Sequence, residues 1–143
     1  MRRQLHGIIS LGLIFAAVVV AAVVLIRISV TLGALYLGGC AAASIVILYA
    51  YCAKCPGRTH CGHVLPGKAA KIFSDRPSGP YTTVELAATG LSLLVLMGLP
   101  QVWLWRSMRP LIAFWAMTII AVIQIRSVVC RNCNNAFCPA KKP

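Results

Sequence analysis

IISLGLIFAAVVVAAVVLIRISVTLGALYLGGCAAASIVILYAY, residues 8–51, carries a single charge, Arg27. As one continuous helix it would be about 65 Å long, roughly twice the thickness of a bilayer's hydrocarbon core. Arg27, Ser29 and Thr31 are the polar residues at its centre. The stretch therefore reads as two spans, residues 8–26 and 30–51, joined by a tight helical turn near Arg27. Two further apolar runs, residues 84–105 and 111–129, each approach the ~20 residues that a crossing needs. The predicted fold is an all-α integral membrane protein, a single membrane domain of four transmembrane helices arranged as two hairpins. A loop, residues 52–83, joins the hairpins, and a cysteine-rich tail, residues 130–143, follows the last span.

Composition supports this reading. Of 143 residues, 59% are apolar and 11% are charged, against about 25% charged in soluble domains. The apolar residues fall in blocks rather than in an amphipathic rhythm, so lipid is the expected solvent. The net charge of +12 does not indicate nucleic acid, because the basic residues lie between apolar blocks and not along one face. They read as topology determinants and headgroup anchors. Arg2 and Arg3 precede an apolar stretch longer than the h-region of a signal peptide, so this stretch is expected to remain as a span.

Local signals mark the helix ends. Thr82 with Glu85 forms a capping-box pattern ahead of the third span. Pro110 fits the first position of the fourth helix, and Pro100 is expected to kink the third. Trp103, Trp105 and Trp115 at one face, with Tyr49 and Tyr51 at the other, read as aromatic belts. Gly38, Gly39 and Cys40 read as small residues for close helix contact.

With the N-terminus inside, the cytoplasmic side holds Arg2, Arg3, Lys54, Arg58, Lys68, Lys71, Arg76, Arg126, Arg131, Lys141 and Lys142. The outer turns hold Arg27, Arg106 and Arg109. The positive-inside rule then places both termini and the middle loop in the cytoplasm of a plasma (inner) membrane, multi-pass. Every cysteine except Cys40 follows to that side, where structural disulfides rarely persist and metal or redox chemistry is favoured.

Those cysteines form two triads. Cys52, Cys55 and Cys61 (C-x2-C-x5-C) follow the second span, and Cys130, Cys133 and Cys138 (C-x2-C-x4-C) follow the fourth. A shift of 78 residues aligns Cys52 with Cys130, Cys55 with Cys133 and Gly12 with Gly90. This suggests a parallel internal repeat, with the hairpins related by an axis along the membrane normal. A C-x2-C pair lets two thiolates grip one ion from a single turn of backbone. Two such pairs make a tetrahedral zinc site or ligate an iron–sulfur cluster. Cys138-Pro139 resembles the Cys-Pro of bacterial ferredoxins, although their four-cysteine run is absent. His60 and His63, flanking Cys61, are weaker candidate ligands.

The leading expectation is a small membrane subunit that binds a metal or iron–sulfur centre and serves electron transfer or assembly. One alternative is a membrane thiol–disulfide oxidoreductase, since four-helix proteins that pass electrons between disulfides and quinones carry C-x2-C pairs. The predicted placement just beyond helix C-termini weighs against it, because the negative dipole end disfavours a bare thiolate and favours a cation. A second alternative is a zinc clamp with no catalytic activity.

The expected partners are the lipid bilayer and a redox subunit or acidic protein docking on the basic loop. In that loop residues 68–73 suggest a short interfacial helical turn. The four spans as bounded hold no histidine to ligate a haem, and no Asp or Glu lies deep within one. No phosphate-binding glycine loop, Ser-His-Asp set or zinc-protease motif is present.

Overall fold

Ser29 breaks the decisive stretch. Its backbone is extended, and α1 (Arg2–Ile28) ends against it while α2 (Val30–Ile47) starts after it. The reversal is tight enough that a Cβ on Gly33 would overlap the Ile26 side chain. The computed structural model describes residues 2–58, 61–73, 76–131, 133, 135, 137 and 138, all helix, turn or irregular chain. After α2 the chain continues as a π-helical turn, Leu48–Cys52. A short α3 (Val64–Ala69), extended by a 3-10 turn Ala70–Phe73, lies in the middle loop. Then come α4 (Thr83–Gly98), α5 (Gln101–Leu104) and α6 (Met108–Gln124), the last running into a second π-helical turn, Ile125–Cys130.

Among the described residues, four helices are long and apolar enough to cross a membrane: Arg3–Ile28, Val30–Cys52, Thr83–Leu104 and Met108–Cys130. Each begins ahead of, or runs past, the bounds read from hydropathy, because helical hydrogen bonding continues into the polar flanks. His6 consequently falls inside α1, one turn from its start, contrary to the histidine-free spans expected. Pro100 interrupts the third crossing as expected. The Leu99 N–H reaches back to Leu94 O, and Trp103 N–H and Leu104 N–H both bond Pro100 O. Pro110 is not the first residue of its helix. Ser107 caps that helix and Met108 starts it. Pro110 is still within the first turn, where its missing N–H leaves no intrahelical bond unmade.

The packing is inside out relative to a water-soluble bundle. The core is built on small side chains, with Ala17, Ala21, Ala22, Ala43 and Ala121 buried and Ser10, Ser92 and Thr118 among them. Phe15, Leu35, Leu94 and Ile112 point outward, each well over half exposed. Small residues let helix backbones approach where lipid tails are as apolar as leucine. The three hydroxyls each donate to their own helix, to Gly7 O, Ala88 O and Phe114 O, so none is left without a partner. Cys40 is buried in this core and Gly39 meets Val95, but nothing packs against Gly38.

α1 lies against both α6 and α2, and α2 lies against α4. The third and fourth crossings meet near their connecting turn, where Trp115 donates to Gln101 and Thr118 lies by Met97. At the opposite end, four features gather: the start of α1, the end of α2's π turn, the start of α4 and the end of α6's π turn.

A candidate metal centre at the cysteine-rich end

Both cysteine triads emerge at that shared end, and the backbone delivers them in the same way. Each C-x2-C pair begins on the last residue of a π turn, Cys52 and Cys130. Each pair then closes the same tight turn. Cys55 N–H donates to Cys52 O at 3.2 Å, and Cys133 N–H donates to Cys130 O at 3.1 Å. π turns are rare and concentrate at functional sites. Two of them, 78 residues apart and each ending on the first cysteine of a triad, are a feature that hydropathy could not reveal.

The triads come together across the bundle. A Cβ on Gly57 would stand 3.7 Å from Cys55 Sγ and 4.0 Å from Cys133 Sγ, so these sulfurs of different triads flank the same point. Cys61 lies within electrostatic reach of Cys52, Cys55, Cys130 and Cys133, and Cys130 of Cys138. All six, and Cys40, are free thiols. Among the described residues, no three of the histidine, cysteine and acidic side chains are grouped closely enough to hold one ion. The cysteines therefore converge on one region without forming a closed ligand set.

Polar groups that the sequence did not flag bridge the triads. Asn135, 1% exposed, donates through Nδ2 to Cys55 Sγ at 3.3 Å and to Tyr81 Oη at 3.1 Å, and its Oδ1 accepts from Phe137 N–H. Tyr51 Oη lies 3.1 Å from Cys138 Sγ, and its ring stacks on Tyr81 with centroids 4.7 Å apart. Tyr51 is thus part of the cysteine cluster rather than of an aromatic belt. Tyr49 is half exposed, with Arg76 over its ring at 4.1 Å. The one available hint was position: Asn135 lies two residues beyond Cys133, and Tyr51 directly precedes Cys52.

The electrostatics favour the neutral thiols over bare thiolates. Burial pushes the Cys55 and Cys61 thiols up, and the neighbouring Cys133 sulfur adds to the effect. Backbone N–H groups of Gly57 and His63 point at the Cys55 and Cys61 sulfurs and partly offset this. Tyr81 is likewise raised, first by burial and then by Cys55. Lys54, between Cys52 and Cys55 in the chain, is committed to Glu85, to which its Nζ donates at 2.8 and 3.0 Å. The cations that act on the sulfurs are Arg3, near Cys61, and Arg126, near Cys130.

Glu85 is the hub that fixes the first triad. It completes the expected capping box, accepting from Thr82 N–H at 2.6 Å while its own N–H donates to Thr82 Oγ1. It also pairs with Lys54 and Arg76. Lys54 stands between Cys52 and Cys55, so this cluster ties their turn to the start of α4. Of the histidines, His63 turns its ring toward α1, with Nδ1 3.2 Å from Gly7 O, and burial lowers its pKa. His60 lies outside the described residues. No family model matches the chain, and no curated protein or solved structure is similar to it.

Proposed function

We propose that this chain is a membrane subunit that binds a metal ion or iron–sulfur cluster between its two cysteine triads and serves electron transfer or assembly. The observation that carries the reading is the duplicated delivery of sulfur. Two π turns each end on the first residue of a C-x2-C pair, and Cys55 and Cys133 then flank Gly57. The ligands are Cys52, Cys55, Cys130 and Cys133, with Cys61 and Cys138 in reserve. The match between the two turns also supports a parallel repeat of two helical hairpins.

Binding requires the sulfurs to close in, since zinc or iron holds thiolates at about 2.3 Å. The described residues between Ala53 and His63 carry no long helix to resist that closure, and metal binding commonly supplies the ordering energy itself. The excess of basic residues on the triads' side supports both termini, the loop and the cysteines being cytoplasmic in a plasma membrane. A redox partner or acidic protein would dock on that side.

Anaerobic purification followed by metal analysis, visible absorption and EPR tests the reading. Iron with acid-labile sulfide identifies a cluster, and stoichiometric zinc without colour identifies a structural clamp. Protein that holds neither metal and cycles between dithiol and disulfide with a quinone overturns the proposal in favour of thiol exchange.

A further inference from the structure

A second feature of the same end of the bundle is independent of the cysteine chemistry. Between the first turn of α1 and α3 lies a cleft of about 160 Å³, lined by Gln4, Arg58, Cys61, Val64, Lys68 and Lys71. Two exposed lysines and one amide thus line a space that can hold a phosphate group, with Arg58 beside them. Arg58 is anchored for this position, its Nη1 donating to Ala53 O at 2.9 Å. Lys68 and Lys71 are exposed. Glu85, the one acid among the described residues, is held by Lys54 and Arg76, and no ion pair among the described residues engages Lys68 or Lys71.

The rim of the cleft is apolar. Leu65 is 62% exposed and Ile72 80% exposed, on the same short helical segment as the two lysines. On α1, Leu5 and Ile8 are half exposed or more, immediately along the helix from Gln4. A segment with lysines beside exposed aliphatic side chains, at the end of a membrane-spanning bundle, has the composition of an interfacial helix. Cations at headgroup depth with hydrocarbon-compatible side chains around them match a phospholipid better than a free anion.

We propose that this cleft seats the phosphate of an anionic phospholipid headgroup, whose acyl chains lie along the exposed face of α1 that holds Leu5 and Ile8. Lys68 and Lys71 supply the charge, Gln4 a hydrogen-bond donor, and α3 is pinned to the membrane surface. Because Cys61 forms part of the wall, a seated headgroup also covers one side of the cysteine cluster.

Native mass spectrometry of the full chain in detergent tests this with three probes: dioleoyl phosphatidylglycerol, dioleoyl phosphatidylcholine and inorganic phosphate. The wild type is expected to retain phosphatidylglycerol, to lose phosphatidylcholine on mild activation, and to keep its lipid in millimolar inorganic phosphate. The exposed pair Lys68→Gln and Lys71→Gln should weaken phosphatidylglycerol binding roughly thirtyfold, five- to sixfold for each charge. Lys68→Arg with Lys71→Arg should bind as the wild type does, which separates lost charge from a disturbed fold. Equal binding of both lipids, undiminished binding by the glutamine pair, or displacement by inorganic phosphate each overturns the proposal.

Discussion

Glu85→Gln should destabilise the protein by about 2–3 kcal/mol. Glu85 accepts from Lys54, Arg76 and Thr82 N–H, and its side chain is 9% exposed, against 15% for Lys54 and 21% for Arg76. Removing one partner of a fully buried pair costs about 3–5 kcal/mol, because the remaining charge is left without compensation. Exposed pairs are worth about 1 kcal/mol or less. This trio is mostly buried but not dry, so the cost falls between those limits. Glutamine keeps an acceptor for Thr82 N–H, so the substitution removes the charge and spares much of the cap. What remains is two partly desolvated cations facing each other. At about 4 °C per kcal/mol for a chain of this size, the melting temperature should fall by roughly 8–12 °C. Thermal unfolding in detergent, followed by circular dichroism, measures this. Adding Lys54→Met to Glu85→Gln should restore part of the loss, since it removes one of the stranded charges. A Glu85→Gln protein that melts within 2 °C of the wild type would refute the claim that Glu85 anchors the first triad to α4.

Other expectations follow from the same geometry. Gly7→Ala should cost about 1–3 kcal/mol, because a Cβ there would overlap the Gly62 carbonyl and push the Cys61 segment off α1. Gly12→Ala meets nothing within 4 Å and should melt as the wild type or slightly higher. Replacing Cys55 and Cys133 together by serine should abolish stoichiometric metal in the purified protein, while Cys40→Ser leaves it intact. Metal content after anaerobic purification decides this, and full retention by the double variant counts against a shared site. With metal chelated away, Cys55 and Cys61 should alkylate slowly at neutral pH and faster only above the ordinary thiol range. Burial raises both, so the reactive thiolate forms late. Free-cysteine rates for both at pH 7, read by mass spectrometry, would contradict that.

The class of fold was legible because it depends on local, additive properties. Length and apolarity of four segments require helices in lipid, and Thr82 with Glu85 announced a cap that the structure forms, since a capping box closes within one turn. The break at Ser29 and the interruption at Pro100 were readable for the same reason. Exact helix starts were not, as Pro110 and His6 show, because a helix extends into polar flanks wherever its hydrogen bonds can continue. Which helices touch, the two π turns, and the approach of Cys55 to Cys133 around Gly57 depend on packing between segments far apart in the chain. So does the engagement of Lys54 by Glu85 rather than by thiolates, and the insertion of Asn135 between Cys55 and Tyr81. A spacing of cysteines states which sulfurs share a turn of backbone. Only the folded bundle decides which turns share a place, because that is set by how closely the small residues of four helices let their backbones meet.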